Sequence, residues 1–181
     1  SIGAVFAYPL TPAQLSLASM LTIGIPSFFL ALEPNSSLVR GRFIVNVIYR
    51  ALPAALTDLF IIIGVVLFNK AFGLPAQEVS TIAAVLITCV GLIMVWKVST
   101  PLNWQRALLL VGLIALFLAA LIFFPGLFSI VPLGFGSSLV LGVFVLLIPS
   151  LMWLFFTAME KLEALVKTLA KKVSEAGKKK A

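Results

Sequence analysis

The chain has 181 residues, 62% hydrophobic and 10% charged, with a mean hydropathy of +1.20. Soluble domains run near 45–50% apolar and about 25% charged, so this composition excludes an ordinary soluble globular protein and indicates a polytopic membrane protein. The net charge of +7 does not point to nucleic acid, because seven of the thirteen Lys and Arg lie from Lys161 onward and the others sit between apolar runs. That is the charge distribution of cytoplasmic loops and a cytoplasmic tail.

The absence of histidine excludes a His/Cys zinc site, a Ser-His-Asp triad and a haem His within the chain. The one cysteine, Cys89, excludes an internal disulfide and lies in an apolar run, where it reads as a small hydrophobe. There is no G-x-x-x-x-G-K-[ST] phosphate loop and no soluble segment large enough to hold a nucleotide, so the chain is not expected to hydrolyse anything alone.

In chain order, SIGAVFAYPLTPAQ reads as the end of an apolar segment and a Pro-bounded turn, with neither a starting Met nor the features of a signal peptide. The sequence is therefore expected to begin inside a larger protein. Five apolar runs of span length follow: 15–32, 51–68, 79–96, 107–124 and 139–156. None alternates as a strand does, and an open sheet cannot sit in lipid. The predicted fold is all-α: a polytopic helical membrane bundle of five transmembrane helices over 1–160, then a basic amphipathic cytoplasmic tail over 161–181.

The first run, LSLASMLTIGIPSFFLALEPN, carries a break. Pro26 cannot donate a backbone hydrogen bond, so the Thr22 carbonyl loses its helical partner, and Gly24 weakens the same turn. Thr22 adds a hydroxyl, and Ser19, three residues earlier, adds another on roughly the same helix face. A freed carbonyl and two hydroxyls inside a span are oxygen ligands, which hard cations prefer. Most Pro and Gly breaks in membrane helices are structural, and that reading stands beside the cation reading.

The connections carry three, one, two, zero and seven positive charges in turn: Arg40, Arg42 and Arg50; Lys70; Lys97 and Arg106; none over 125–138; and the lysines of the tail. The positive-inside rule then places 33–50, 97–106 and the C-terminus in the cytoplasm, and 69–78 and 125–138 outside. In that topology the Asn35-Ser36-Ser37 sequon is cytoplasmic and not glycosylated. Pro125, Gly126, Pro132, Gly134 and Gly136 make the fourth connection a loop, and its apolar residues place it at the membrane interface. Pro149 bends the last span, and Trp96, Trp104 and Trp153 sit near span ends as interfacial anchors. In the tail, Leu162, Leu165, Val166, Leu169 and Val173 form one apolar helical face with lysines opposite. This suits a helix on an anionic inner leaflet, or a solvated extension.

The six acidic residues are Glu33, Asp58, Glu78, Glu160, Glu163 and Glu175, and none falls at the centre of a span. Asp58, about two turns into the second span, is the one intramembrane carboxylate, with Arg50 or a neighbouring helix as its expected partner. The first span thus offers neutral oxygens with no carboxylate, and the charged ligands of a cation site must come from elsewhere.

The stretch YPLTPAQLSLASMLTIGIPSFFLALEPN, from Tyr8 to Asn35, resembles the turn before the sixth membrane helix, and that helix, in P-type cation-transporting ATPases. The Pro-x-x-Pro-x-Gln turn, the Thr-x-Gly-x-Pro break and the closing Leu-Glu-Pro correspond. The family's Asn, Thr and Asp cation ligands fall on Ser19, Thr22 and Ile23, so Thr22 is retained and the carboxylate is lost. The Leu-Thr-Ile-Gly-Ile-Pro core resembles the bacterial branch typified by the mycobacterial cation-transporting ATPase E, associated with calcium. The resemblance implies helices six to ten of an ATP-driven cation pump, with Thr22 and Ser19 as cation ligands and Gly24 and Pro26 holding the helix open. It implies at most one ion at the site, held mainly by helices four and five. It further implies ATP and Mg²⁺ as cofactors of the parent protein, a transported Ca²⁺, the N-terminal part of the pump, the bilayer and anionic lipid as partners, and a bacterial plasma-membrane location. The rival readings are a stand-alone small permease or channel subunit and a non-transporting membrane scaffold.

Overall fold

A computed structural model describes residues 9–32, 43–100 and 103–178. Expectations that fall on Tyr8, on the connection from Glu33 to Arg42 with its Asn35 sequon, on the side chain of Arg50 and on the tail lysines from Lys167 onward lie outside the described residues.

The elements are α1 (Pro12–Ser19), a π-helical turn (Met20–Gly24), α2 (Ile25–Ala31), α3 (Phe43–Phe72), α4 (Ala76–Val98), α5 (Trp104–Phe123) and α6 (Phe135–Lys178). Five helices are long and apolar enough to cross a membrane: Pro12–Ala31, Ala51–Phe72, Ala76–Val98, Trp104–Phe123 and Phe135–Leu162. The architecture is an all-α membrane bundle, with no strand among the described residues. Helix α6 runs unbroken past Glu160 to Lys178, so the tail continues the last span as helix.

Local chemistry sets the element ends. Pro12 occupies the first turn of α1, where a missing N–H costs nothing. Thr11 caps that helix in a reciprocal box: the Gln14 N–H donates to Thr11 Oγ1 at 3.4 Å, and the Thr11 N–H donates to Gln14 Oε1 at 3.0 Å. Helix α3 closes on Gly73, whose φ of +64° only glycine adopts without strain, with the Gly73 N–H on the Asn69 carbonyl at 2.8 Å. Pro53 lies inside α3 and Pro149 inside α6, and Thr57 Oγ1 donates to the Pro53 carbonyl at 2.8 Å.

Helix α4 is the axis of the bundle. Within the protein it is 56% buried over its most apolar stretch, against 17–28% for the other four spans. One side packs Val79, Ile82, Leu86 and Val90 against Ile61 and Val65 of α3 and Val140, Ile148 and Met152 of α6. Its other neighbours are the first span and α5, where Val95 joins Leu17, Leu21, Leu113 and Phe117. Lipid is as apolar as leucine, so close packing rather than escape from water holds these helices together. Gly64 shows how close: a Cβ there would lie 2.7 Å from the Phe144 ring of α6.

Candidate functional site

The break in the first span is a π-helical turn. The Ile25 N–H donates to the Met20 carbonyl, five residues back instead of four. Pro26 follows at once and has no N–H, so neither the Thr22 carbonyl, four residues back, nor the Leu21 carbonyl, five back, can accept from it. Single π turns inside α-helices recur at functional sites for this reason: they expose backbone oxygens without ending the helix.

The two hydroxyl-bearing residues differ in exposure. Ser19 is exposed, as are Ile23 and Gly24, while Pro26 is buried. Thr22 is half-buried and turned against α4. Its hydroxyl donates to the Ala18 carbonyl at 2.8 Å, and its methyl rests where a side chain on Gly91 would stand. Among the described residues there is no group of three or more His, Cys, Asp or Glu that could hold a metal ion. The first span therefore presents neutral oxygens only.

Asp58 lies in α3, where its Oδ1 is enclosed and has no hydrogen-bond partner among the described residues. The expected partner Arg50 belongs to the same helix, but its side chain is among those not described.

Sequence reasoning missed a polar clasp at the other end of the first span. Gln14 is fully buried, with Oε1 accepting from Ser80 Oγ of α4 at 2.6 Å as well as from Thr11 N–H, and with Nε2 donating to the Ser129 carbonyl at 3.1 Å. The loop before α6 is tied down further. The Val131 N–H donates to Thr81 Oγ1 at 3.2 Å, and the Gly134 N–H donates to a Glu78 carboxylate oxygen at 3.0 Å. One amide thus joins the first span, α4 and the loop at Ser129, whose φ is +52°. The Thr-x-x-Gln capping box signalled the local bonds of Gln14, and nothing in the sequence signalled its bonds to residues 66 and 115 positions away.

The geometry defines a multi-pass helical membrane bundle whose first span is opened at mid-length by a π turn. The chain is similar to cation-transporting ATPases over more than half its length. It is 31% identical to a probable cation-transporting ATPase of Streptococcus pneumoniae over 116 residues, 64% of this chain and 15% of that protein. It is 29% identical to a calcium-transporting ATPase of Mycolicibacterium smegmatis over 111 residues, 56% of this chain and 13% of that protein. A calcium-transporting ATPase of Mycobacterium tuberculosis is 28% identical over 108 residues, 55% of this chain and 13% of that protein. The chain thus matches only about one seventh of the length of these relatives. No family model matches it, and no solved structure matches it significantly.

Proposed function

We propose that the chain is the C-terminal membrane part of an ATP-driven cation pump with Ca²⁺ as the transported ion. The observation that carries this reading is the similarity to cation-transporting ATPases in a chain whose first span is opened by a π turn. In this reading Thr22 and Ser19 are cation ligands. The Thr22 hydroxyl gives its proton to Ala18 and keeps its oxygen lone pairs for the ion. Gly24 and Pro26 hold the turn open. Ile23 brings no charge, so the carboxylates come from the N-terminal part of the pump, against the exposed face of Ser19. That part also binds ATP and Mg²⁺ and carries the phosphorylated Asp. The protein sits in a bacterial plasma membrane with its C-terminus in the cytoplasm and its basic tail on anionic lipid.

The test is ATP-dependent Ca²⁺ uptake by vesicles containing the complete protein. Thr22→Ala should raise the half-saturating Ca²⁺ concentration roughly tenfold, the effect of one lost charge-assisted contact. Ser150→Ala, on an exposed position of α6, should leave it unchanged. Equal uptake and equal half-saturation in both variants would sink the site, and a lack of ATP-dependent uptake of any cation would sink the pump.

A further inference from the structure

Asp58 lies seven residues into the membrane segment that starts at Ala51, a depth of roughly 10 Å in a hydrocarbon core about 30 Å thick. The residue is half-buried, and its Oδ1 is wholly enclosed with no hydrogen-bond partner among the described residues. Helices α3 and α4 are antiparallel neighbours joined by the turn at Gly73, and Tyr49 of α3 and Lys97 of α4 line one cavity at their far ends. Asp58 is nine residues inward from Tyr49, and Cys89 is eight inward from Lys97, so the two lie at about one depth. The hydroxyls at that depth are committed elsewhere: Thr57 donates to the Pro53 carbonyl and Thr88 to the Ala84 carbonyl, both at 2.8 Å. Cys89 offers only a thiol, a weak donor. The charged groups of α4 and α6, the helices packed against α3, stand at the helix ends. Lys97 and Glu160 line the cavity with Tyr49, roughly 14 Å along α3 from Asp58, and Lys161 follows Glu160. Glu78 lies towards the opposite end with Lys70 of α3, itself roughly 18 Å from Asp58 along the helix. Arg50, on the same helix as Asp58, is roughly 12 Å nearer the cytoplasm.

We propose that Asp58 is a proton-binding site, its carboxyl holding a proton at neutral pH with Oδ1 as the carbonyl oxygen. An ionised carboxylate shares its charge over both oxygens, so part of that charge would rest on Oδ1 in an apolar place with no donor. The neutral acid leaves only a carbonyl dipole there. The enclosure of Oδ1 also favours a proton over other ligands. A hard cation gathers about six to eight oxygens at about 2.3–2.6 Å, and a Lys or Arg of another helix must reach the oxygen it pairs with. Neither has room at an atom already closed in by this chain, and on Oδ2 alone either would leave Oδ1 without a partner. A proton takes up almost no space and neutralises both oxygens at once. The open side of the half-buried residue gives it a way in and out. The site needs only a bilayer and the packing of α3, so it stands apart from the pump reading.

The test is infrared spectroscopy of the complete protein in lipid vesicles at neutral pH. The unmodified protein should show the carbonyl stretch of a protonated carboxyl, and Asp58→Asn should lose one such band. Glu160→Gln, which changes an exposed carboxylate, should leave that band in place. Identical carboxyl bands in the unmodified protein and in Asp58→Asn would overturn the proposal, because Asp58 would then be ionised. Should Asp58→Asn fail to fold, the unmodified protein decides the matter by itself. Dicyclohexylcarbodiimide, an apolar reagent, adds to a protonated carboxyl: the acid oxygen bonds to the carbodiimide carbon, the proton moves to its nitrogen, and nothing is released. Peptide mass mapping after treatment in vesicles should find this adduct on Asp58. A map without an adduct on Asp58 would overturn the proposal.

Discussion

Thr22 of the first span and Gly91 of α4 are packed so closely that a Cβ on Gly91 would lie 2.7 Å from the Thr22 Cβ and closer still to its methyl. The residue proposed as a cation ligand is thus held in place by a glycine on the central helix.

Gly91→Ala should therefore destabilise the bundle by about 1–3 kcal/mol, the usual cost of overpacking. Removing the methyl should relieve part of the strain, so Gly91→Ala combined with Thr22→Ser should lose less than the sum of the single changes. Thermal unfolding of the four proteins in detergent gives the coupling directly. Strict additivity would mean that the two residues do not bear on each other.

Gln14 serves three partners with one amide. Gln14→Leu should cost about 1–3 kcal/mol, since it leaves the buried Ser80 hydroxyl without its acceptor and removes the donor to the Ser129 carbonyl. Gln14→Glu, which keeps the acceptor and loses the donor to Ser129, should also loosen the loop over 125–134 and raise its hydrogen-exchange rate. Unchanged exchange in that loop would show that the amide does not tether it.

Asp58 carries an enclosed oxygen without a partner among the described residues. If the carboxylate is only tolerated, Asp58→Asn should keep or raise stability, by up to about 1 kcal/mol, because it removes a charge that burial disfavours. Such a gain accompanied by lost Ca²⁺ uptake would instead assign Asp58 a part in transport. Thermal midpoints and vesicle uptake on the same preparation separate the two outcomes.

Much of the fold is legible in the sequence because bilayer thickness acts locally. A run such as 79–96 must be a helix of about 20 residues, with its polar groups paired inside it, wherever its neighbours lie. The break in the first span is equally local, since Pro26 lacks an N–H in any environment. Its form is not: the chain takes up an extra residue as a π turn. The continuity of the tail with α6 through Glu160 was not legible, because it depended on there being no break between them.

By itself the sequence determined five spans, a proline-opened first helix and a chain without a carboxylate at that opening. Only the tertiary structure decided that α4 is the central helix, that Thr22 rests on Gly91, that Gln14 clasps Ser80 and Ser129, and that a groove separates Phe29 from Leu113. The reason is physical. In water a helix marks its buried face with an apolar stripe, but in lipid every face is apolar. Contact faces are then chosen by the fit of small residues against large ones and by scattered polar pairs, and those matches exist only between helices that have already met.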